Sequence, residues 1–321
     1  MALNNSISQI PAEIFVSYIV EKLRRTNPHL AFAFDESQFV LAGSVVHIPQ
    51  AGAHPDVVKN RSTFPAVAVQ RGDSSISYAL DVYSSDPIHV TWHEGAEISY
   101  NKLDSVLNDI VGTLIEKIGD NMIYNWIHGF KKTATAYVDD FLPAGNYIYT
   151  AGDPTNVNTT DGQAGQRLST TYKELDKAAA MMNKWNVAKE GRYVMFESYM
   201  YKEFLNSLSA NQMAAFQQTA DLTNGIVGKY AGFNVLERSS VLAFNGTTPL
   251  LPGEVLATNS NLASLAWQKD CVTKAQGDIV QFEDKNNPLY YGDIFSALVK
   301  FGGRFRREGG IGVIPIIQEV A

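Results

Sequence analysis

Cysteine is nearly absent from this sequence. Cys271 is the only cysteine among 321 residues, so a disulfide within the chain is impossible and a reducing compartment is expected. Long apolar runs are missing too, because no stretch approaches the roughly 20 residues that a transmembrane helix needs. The first residues, MALNNSISQIPAE, have neither the charged nor the apolar region of a signal peptide. We therefore predict a protein that is made in the cytoplasm and does not contact a membrane.

Charge is also scarce. Only 18% of the residues are charged, and the net charge is -7. An acidic chain is not expected to be a dedicated nucleic-acid-binding protein, because such proteins carry a basic surface. With 45% apolar residues, the chain is predicted to fold around a substantial core. The low charge agrees with an exterior that is partly covered by neighbouring subunits.

One long helix is predicted in residues 99–130. Its apolar residues recur every three or four positions, which places them on one face of a helix. These residues are Leu103, Val106, Leu107, Ile110, Val111, Leu114, Ile115, Ile118, Met122, Ile123, Trp126 and Ile127. About 26 helical residues would form a rod roughly 40 Å long. The stretch holds no cluster of catalytic side chains, so we interpret it as a structural strut.

The sequence before this helix indicates extended structure that one chain cannot cover. After a polar amino terminus, the residues following Pro11 predict a short amphipathic helix, which needs a surface to lie on. FPAVAVQR and SISYALDVY, on either side of Gly72 and Asp73, predict a hairpin, and PIHVTWHE predicts a third strand. A two-stranded ribbon is not stable alone in water, so a partner subunit is a natural cover for its apolar face.

The sequence after the long helix is mixed. Helices are predicted in TYKELDKAAAMMNKWNV, MYKEFLNSL and NQMAAFQQTA, and strands in RYVMFE, NGIVGKYAGFNVLERS, QGDIVQFED, FSALVKFGGRFRRE and GIGVIPIIQEV. GDPTNVNTTDGQAGQ predicts a mobile loop, and LASLAWQKDCV fits either a short helix or a strand. Helices and strands do not alternate regularly, so a doubly wound parallel sheet is not expected and the predicted fold class is α+β.

One short motif suggests metal chemistry. YVDD at residues 137–140 matches the YxDD string of reverse transcriptases, in which paired aspartates hold two metal ions. Here Asp139 and Asp140 have no upstream aspartate motif and no basic template channel. The alternative interpretation is a solvated loop or the end of a strand.

Two other groups of residues resemble binding sites in composition. His89 and His93, if both lie on a strand, would stand roughly 13 Å apart, too far to share one zinc ion. The glycine-rich residues 302–312 include Arg304, Arg306 and Arg307 and could contact a phosphate, but they lack a P-loop lysine. A glycine turn between two apolar strands explains them better. We therefore predict no catalytic, cofactor-binding or metal-binding residue, no cofactor, and no enzymatic activity.

Four stretches carry a resemblance to a known family. They are SISYALDVYSSDPIHVTWHEGAEISYNKLDSVL before the long helix, RYVMFESYMYKEFL in the middle, IVGKYAGFNVLERS after it, and YYGDIFSALVKFGGRFRREGGIGVI near the end. In this succession the chain resembles the major capsid proteins of tailed bacteriophages, which have the Hong Kong 97-like fold. The resemblance implies four parts: an N-terminal arm (1–45), an extended β-hairpin loop (46–95), a peripheral domain with the spine helix (96–188 and 275–321), and an axial domain (189–274).

The resemblance also implies a function. The chain would self-assemble into hexamers and pentamers that form an icosahedral shell around double-stranded DNA, with only non-specific DNA contact. A separate scaffolding protein, a portal and decoration proteins are the implied partners, and the virion is the implied location. Some members form covalent crosslinks through a loop lysine. Lys59 lies in the corresponding region, but no motif aligns with that chemistry.

Two alternatives stay open at this point. An encapsulin-like nanocompartment shell would have the same fold but would package enzymes instead of DNA. A metal-dependent nucleotidyl transferase that uses Asp139 and Asp140 is a more distant alternative from a different functional class.

Overall fold

A computed structural model of the chain describes residues 27–39, 45–66, 68–91, 101–132, 137–157 and 162–321. The α-helices in these residues are α1 (Asn101–Asn125), α2 (Tyr172–Lys184), α3 (Ser198–Ser207) and α4 (Ala210–Gln217). The strands there are β1 (Phe34–Asp35), β2 (Val45–Gln50), β3 (Ser74–Ala79), β4 (Asp81–Ser84), β5 (Ile88–Thr91), β6 (His128–Lys132), β7 (Tyr137–Phe141), β8 (Ile148–Tyr149), β9 (Pro154–Asn156), β10 (Gln166–Leu168), β11 (Arg192–Glu197), β12 (Ile226–Tyr230), β13 (Phe233–Arg238), β14 (Leu242–Asn245), β15 (Thr248–Pro249), β16 (Ser260–Gln268), β17 (Thr273–Asn287), β18 (Gly292–Gly302) and β19 (Val313–Ile317). The fold class is α+β, as predicted. The helix predicted after Pro11 lies outside the described residues, as does His93.

The predicted long helix is confirmed as α1, whose 25 residues span roughly 37 Å. Ile118, Met122 and Ile123 on its inward face are fully buried. The helix ends at Asn125 and not at Phe130, because the chain from His128 onward forms β6 and pairs with β7. Just beyond the helix end, the indole N–H of Trp126 donates to the Thr273 carbonyl at 2.9 Å and fixes this end of α1 to the core.

An eight-stranded sheet with helices on both faces lies at the centre of the fold. Its middle strand is β16, which pairs with β11, β14 and β19. Successive strand residues point to opposite faces. Met195 of β11 therefore packs in the cluster that contains α1, whereas Val194 and Phe196 pack in the cluster that contains α2, α3 and α4. Both faces of the sheet are shielded from water in this way.

The stretch LASLAWQKDCV, which fits a helix or a strand in the sequence, belongs to β16. Every side chain of Ser260–Gln268 except Leu262 is buried. A strand buried on both faces loses the alternation of apolar and polar residues that identifies a half-exposed strand. Local pattern therefore could not decide this element.

A second, five-stranded sheet contains the long antiparallel hairpin of β17 and β18. β1 pairs with β17, and both β4 and β5 pair with β18. The predicted closing strands are thus confirmed. The last of them, β19, leaves this sheet and pairs with β16 and β8 in the eight-stranded sheet.

The hairpin predicted about Gly72 and Asp73 is wrong in its pairing. β3 pairs with β2, in a register that runs from Val45↔Ala79 to Gln50↔Ser74, and not with FPAVAVQR. We call β2 and β3 the ribbon, and residues 51–73 between them the ribbon loop. The register follows from burial: Val46, Ile48 and Tyr78 share one apolar cluster with Leu80 and Ala275.

The loop predicted in GDPTNVNTTDGQAGQ is partly extended. β9 pairs with β10 within it, in a register from Asn156↔Gln166 to Pro154↔Leu168. Residues 158–161 lie outside the described residues. The correction is that the two ends of this stretch form a short hairpin.

The first described residues are fixed to α1. The Asn27 side-chain amide donates to the Ile115 carbonyl at 2.8 Å, and a Cβ on Gly119 would lie only 2.2 Å from the Asn27 Oδ1. His29 lies fully within the core, edge-on to Trp126 with ring centres 5.9 Å apart. Burial, together with the charge of Arg238, lowers the pKa of His29 from 6.5 to about 3.

This buried histidine predicts a loss of stability in acid. The unfolded chain binds a proton at His29 near pH 6.5, whereas the folded chain binds it only near pH 3. Between these values the unfolding free energy falls by about 1.4 kcal/mol per pH unit from this group alone. We expect urea unfolding of the purified chain to show this decrease between pH 6.5 and 5. His29→Gln should lose the decrease, and the exposed-site variant His47→Gln should keep it. Equal slopes in His29→Gln and the unsubstituted chain would contradict the prediction.

Candidate assembly surface

The ribbon loop is the most exposed part of the described chain. Every described side chain from 51 to 75 is exposed except at Gly52, including the apolar side chains of Val57 (90%), Phe64 (76%) and Val69 (86%). At the base of the loop, the Gly52 N–H donates to the Asp73 carboxylate at 2.9 Å. Arg71 also pairs with Asp73, and the two contacts lower the pKa of that carboxyl. The loop is therefore closed at its base and uncovered along its length.

The tip of the β17–β18 hairpin is a second apolar projection. Leu289, Tyr290 and Tyr291 are all exposed there, and Phe282 is half exposed further along β17. Large apolar side chains grouped on a projection are typical of protein contact sites, whereas single exposed ones are ordinary.

A groove of about 530 Å³ lies between α1 and the segment that begins with β4. Its lining residues are Val82, Tyr83, Ser84, Ser85, Asp86, Ile88, Ile110, Thr113, Leu114, Lys117 and Asn121. Val82 is exposed within it, and β4 pairs with β18 alone among the described strands. An apolar groove beside an edge strand is a common receptor for an extended segment of another chain.

The two aspartates of the YVDD motif are not brought together as a metal site. Both lie on β7, where neighbouring side chains point to opposite faces. Asp139 lies 3.1 Å from the His128 Nε2, whereas Asp140 pairs with Arg304. Within the described ranges no group of three or more His, Cys, Asp and Glu side chains is placed to hold a metal ion. The nucleotidyl transferase alternative therefore loses the geometry on which it depends.

The structure also explains the two other groups of residues that resemble binding sites in composition but were not predicted as sites. His89 is half buried, with its ring centre 5.7 Å from that of Tyr290. Arg304 is 2% exposed, so it is not accessible to a phosphate, while Arg307 is exposed. The glycine-rich connection joins two apolar strands, as expected, but those strands, β18 and β19, belong to different sheets.

Two features of this part of the structure have no signal in the sequence. The groove depends on β4 lying beside α1, a contact between distant segments. Arg304 was noted for its glycine neighbours, but no sequence signal showed that it is buried against Asp140 and the Ser77 carbonyl.

Comparisons with known proteins show which fold this is. The chain is similar to a structure from Mycobacterium phage Che8, with 15% identity, 89% of each chain covered and a TM-score of 0.56. It is also similar to the capsid of Ralstonia phage GP4 (12% identity, 90% of this chain and 87% of that chain, TM-score 0.60). A third similar structure is the capsid asymmetric unit of cyanophage Pam1 (11% identity, 90% and 89%, TM-score 0.60). The chain has the fold of phage capsid subunits.

This capsid fold is the Hong Kong 97-like fold that the order of elements predicts. No protein-family model matches the sequence, and no curated protein matches it. The likeness to these structures therefore lies in the arrangement of helices and strands, at 11% to 15% sequence identity. Among the described helices, none is long and apolar enough to cross a membrane.

Proposed function

We propose that this chain is a major capsid protein with a structural, non-enzymatic role. Copies of it assemble into hexamers and pentamers, and these form an icosahedral shell around double-stranded phage DNA. The observation that carries the proposal is the capsid fold, which is matched over about nine-tenths of the chain. Synthesis and assembly take place in the bacterial host cytoplasm, and the final location is the virion.

We also propose the four-part division, which the likeness to capsid folds supports. Residues 1–45 form the N-terminal arm, 46–95 the extended loop, 96–188 and 275–321 the peripheral domain with α1 as spine helix, and 189–274 the axial domain. One strand modifies this assignment. β19 pairs with β16, so we place residues 313–317 with the axial sheet rather than with the peripheral domain.

The ribbon loop and the groove are the proposed halves of one contact between copies. The apolar side chains of the loop are exposed on their own chain, and the groove presents apolar residues of α1 and β4. A contact in which one surface meets a different surface of the next copy is heterologous, and such contacts form a ring when the rotation between copies closes. The loop of each copy would cover the groove of the next.

The net charge of the chain is consistent with a shell that encloses DNA without binding it tightly. A net charge of -7 repels phosphate and favours only non-specific contact at local basic groups. A separate scaffolding protein, a portal and decoration proteins remain the proposed partners.

Assembly of the purified full-length chain tests this function. We expect shells or capsomer rings in negative-stain microscopy and matching fast species in sedimentation velocity, with or without an added scaffolding protein. A monodisperse monomer at high concentration under both conditions would contradict the proposal. Shells isolated from the native host distinguish the encapsulin alternative, because a phage capsid protects nuclease-resistant double-stranded DNA whereas a nanocompartment retains protein cargo.

A further inference from the structure

Residues 302–306, with the sequence GGRFR, run along the ribbon from its base at Ala79 to its loop end at Gln50. Glycine is needed at the first two positions because other backbone segments pass close to them. A Cβ on Gly302 would lie 3.0 Å from the Ala79 carbonyl oxygen, and one on Gly303 would lie 2.1 Å from the Thr273 carbonyl oxygen. The backbone here therefore touches the end of β3 on one side and the start of β17 on the other.

The same segment is fixed to the core by its backbone and by one side chain. The Thr273 N–H donates to the Arg304 carbonyl at 2.9 Å, and the Arg306 N–H donates to the Cys271 carbonyl at 2.8 Å. Phe305 is buried in the main apolar cluster. The Arg304 guanidinium lies over the Phe305 ring, 4.5 Å from its centre.

Arg304 links the ribbon to β7. Its Nη1 donates to the Ser77 carbonyl of β3 at 3.0 Å, and its Nη2 pairs with Asp140. The guanidinium is almost completely buried, and burial lowers its pKa, an effect that Asp140 opposes. One desolvated cation therefore holds two separate β-hairpins at once.

Arg306 and Glu36 form a second link to the ribbon. The Gln50 side-chain amide of β2 donates to the Arg306 carbonyl at 2.9 Å. The Arg306 Nε donates to Glu36 Oε1 at 3.2 Å, and the Tyr78 hydroxyl donates to Glu36 Oε2 at 3.0 Å. The Arg306 guanidinium also lies over the Phe34 ring, 3.9 Å from its centre.

The ribbon has limited further support, in which β3 also lies beside β6. Among the described strands, β2 and β3 pair only with each other. Their apolar support is a small cluster in which the body supplies one buried residue, Ala275. A two-stranded ribbon needs such outside support, because it is marginal by itself. The polar links through residues 302–306 and Glu36 are thus a large part of its attachment.

We propose that residues 302–306 form a clasp that holds the ribbon at one angle to the body, and that opening the clasp lets the ribbon swing about its base while the eight-stranded sheet stays folded. The consequence for assembly rests on the proposed function. The ribbon angle decides where the loop of one copy meets the next, and so it determines the curvature of the shell.

Amide hydrogen exchange on the full-length, unassembled subunit tests the clasp. Tyr78→Phe removes one hydrogen bond to Glu36 and keeps the buried ring, and Arg306→Ala removes the guanidinium. Each lost hydrogen bond to a charged group should raise exchange in β2 and β3 about tenfold or more. Exchange in β19 should stay unchanged. Arg71→Ala is the matched control, because it removes an exposed arginine–aspartate pair in the loop that involves neither residues 302–306 nor Glu36.

Two outcomes would overturn the clasp. Unchanged exchange in β2 and β3 would mean that the polar links do not hold the ribbon, and an equal rise in β19 would mean general destabilisation. In assembly reactions we expect Tyr78→Phe to broaden the distribution of shell diameters, and an unaltered distribution would overturn the link between ribbon angle and curvature. If the unsubstituted chain forms no shells, the proposed function fails, but the exchange result still decides whether the clasp exists.

Discussion

Replacing residues 51–73 with a two-residue Asn-Gly turn is expected to abolish shell formation and leave the subunit folded. The pair Gln50↔Ser74 closes the ribbon, and Asn-Gly is well suited to a two-residue hairpin connection. The buried residues of the ribbon are untouched, because the described side chains among those removed are exposed. Shortening the loop from 23 residues should even stabilise the subunit by roughly 2 kcal/mol, since a shorter loop loses less entropy on closure.

Sedimentation velocity and negative-stain microscopy measure the loss of shells, and urea unfolding measures the stability of the subunit. A variant of the same length distinguishes the effect of the apolar side chains from the effect of the length of the loop. Val57→Ser, Phe64→Ser and Val69→Ser together keep the length, remove exposed apolar surface, and should weaken assembly in the same direction. Normal shells from the shortened chain would show that the loop does not cover a neighbouring copy.

A mixing experiment tests whether the contact is heterologous. The shortened chain still carries the groove between α1 and β4, so it can accept a loop from a full-length neighbour. We expect it to enter assemblies with the full-length chain and to limit their growth. If the contact were isologous, with loop meeting loop, the shortened chain would be excluded from the assemblies.

The sequence predicts those elements of the fold whose signal is local. α1 is found because its apolar residues recur at helical spacing over many turns, and its core residues are the predicted ones, such as Ile118 and Met122. Its end is misplaced, because Trp126 and Ile127 stay buried beyond the helix and continue the apolar pattern. The spacing of apolar residues indicates which residues are buried. It indicates the end of a helix only where the chain also leaves the core.

Pairing between distant segments is where the sequence fails. FPAVAVQR and SISYALDVY are close in sequence and favour a hairpin, but β3 pairs across a long loop with β2 instead. The deciding factor is the tertiary surface around Ala275, against which Val46 and Ile48 are buried. No local pattern contains that surface.

The sequence predicts that the ribbon region forms a contact surface, but it does not predict the residues of the groove. The inference that the ribbon region needs cover follows from its apolar composition, and the exposed loop agrees with it. The groove requires β4 to lie beside α1, which depends on the pairing of β4 with β18. Likewise, Arg304 is buried because β7 lies beside it. The glycine-rich sequence around Arg304 predicts only a turn and gives no sign of a buried cation.

Asp140→Asn should destabilise the subunit by about 3 kcal/mol, because it leaves Arg304 buried without its carboxylate. Arg304 is nearly inaccessible to water, whereas Asp140 is partly exposed. Asparagine keeps the shape of the side chain and removes the charge. The loss is large for a protein whose whole unfolding free energy is about 5 to 15 kcal/mol. Urea unfolding with an unchanged m-value measures it.

The neighbouring residue provides the matched control. Asp139→Asn removes an equal charge from the same strand, but its partner is His128 and its side chain is 57% exposed. We expect that change to cost less than about 1 kcal/mol. The double variant Asp140→Asn, Arg304→Met should recover part of the loss, since no uncompensated buried charge remains, although the Ser77 carbonyl loses its Arg304 donor. If Asp140→Asn costs no more than Asp139→Asn, the buried cation does not depend on this carboxylate, and Arg304 holds the ribbon through its backbone contacts alone.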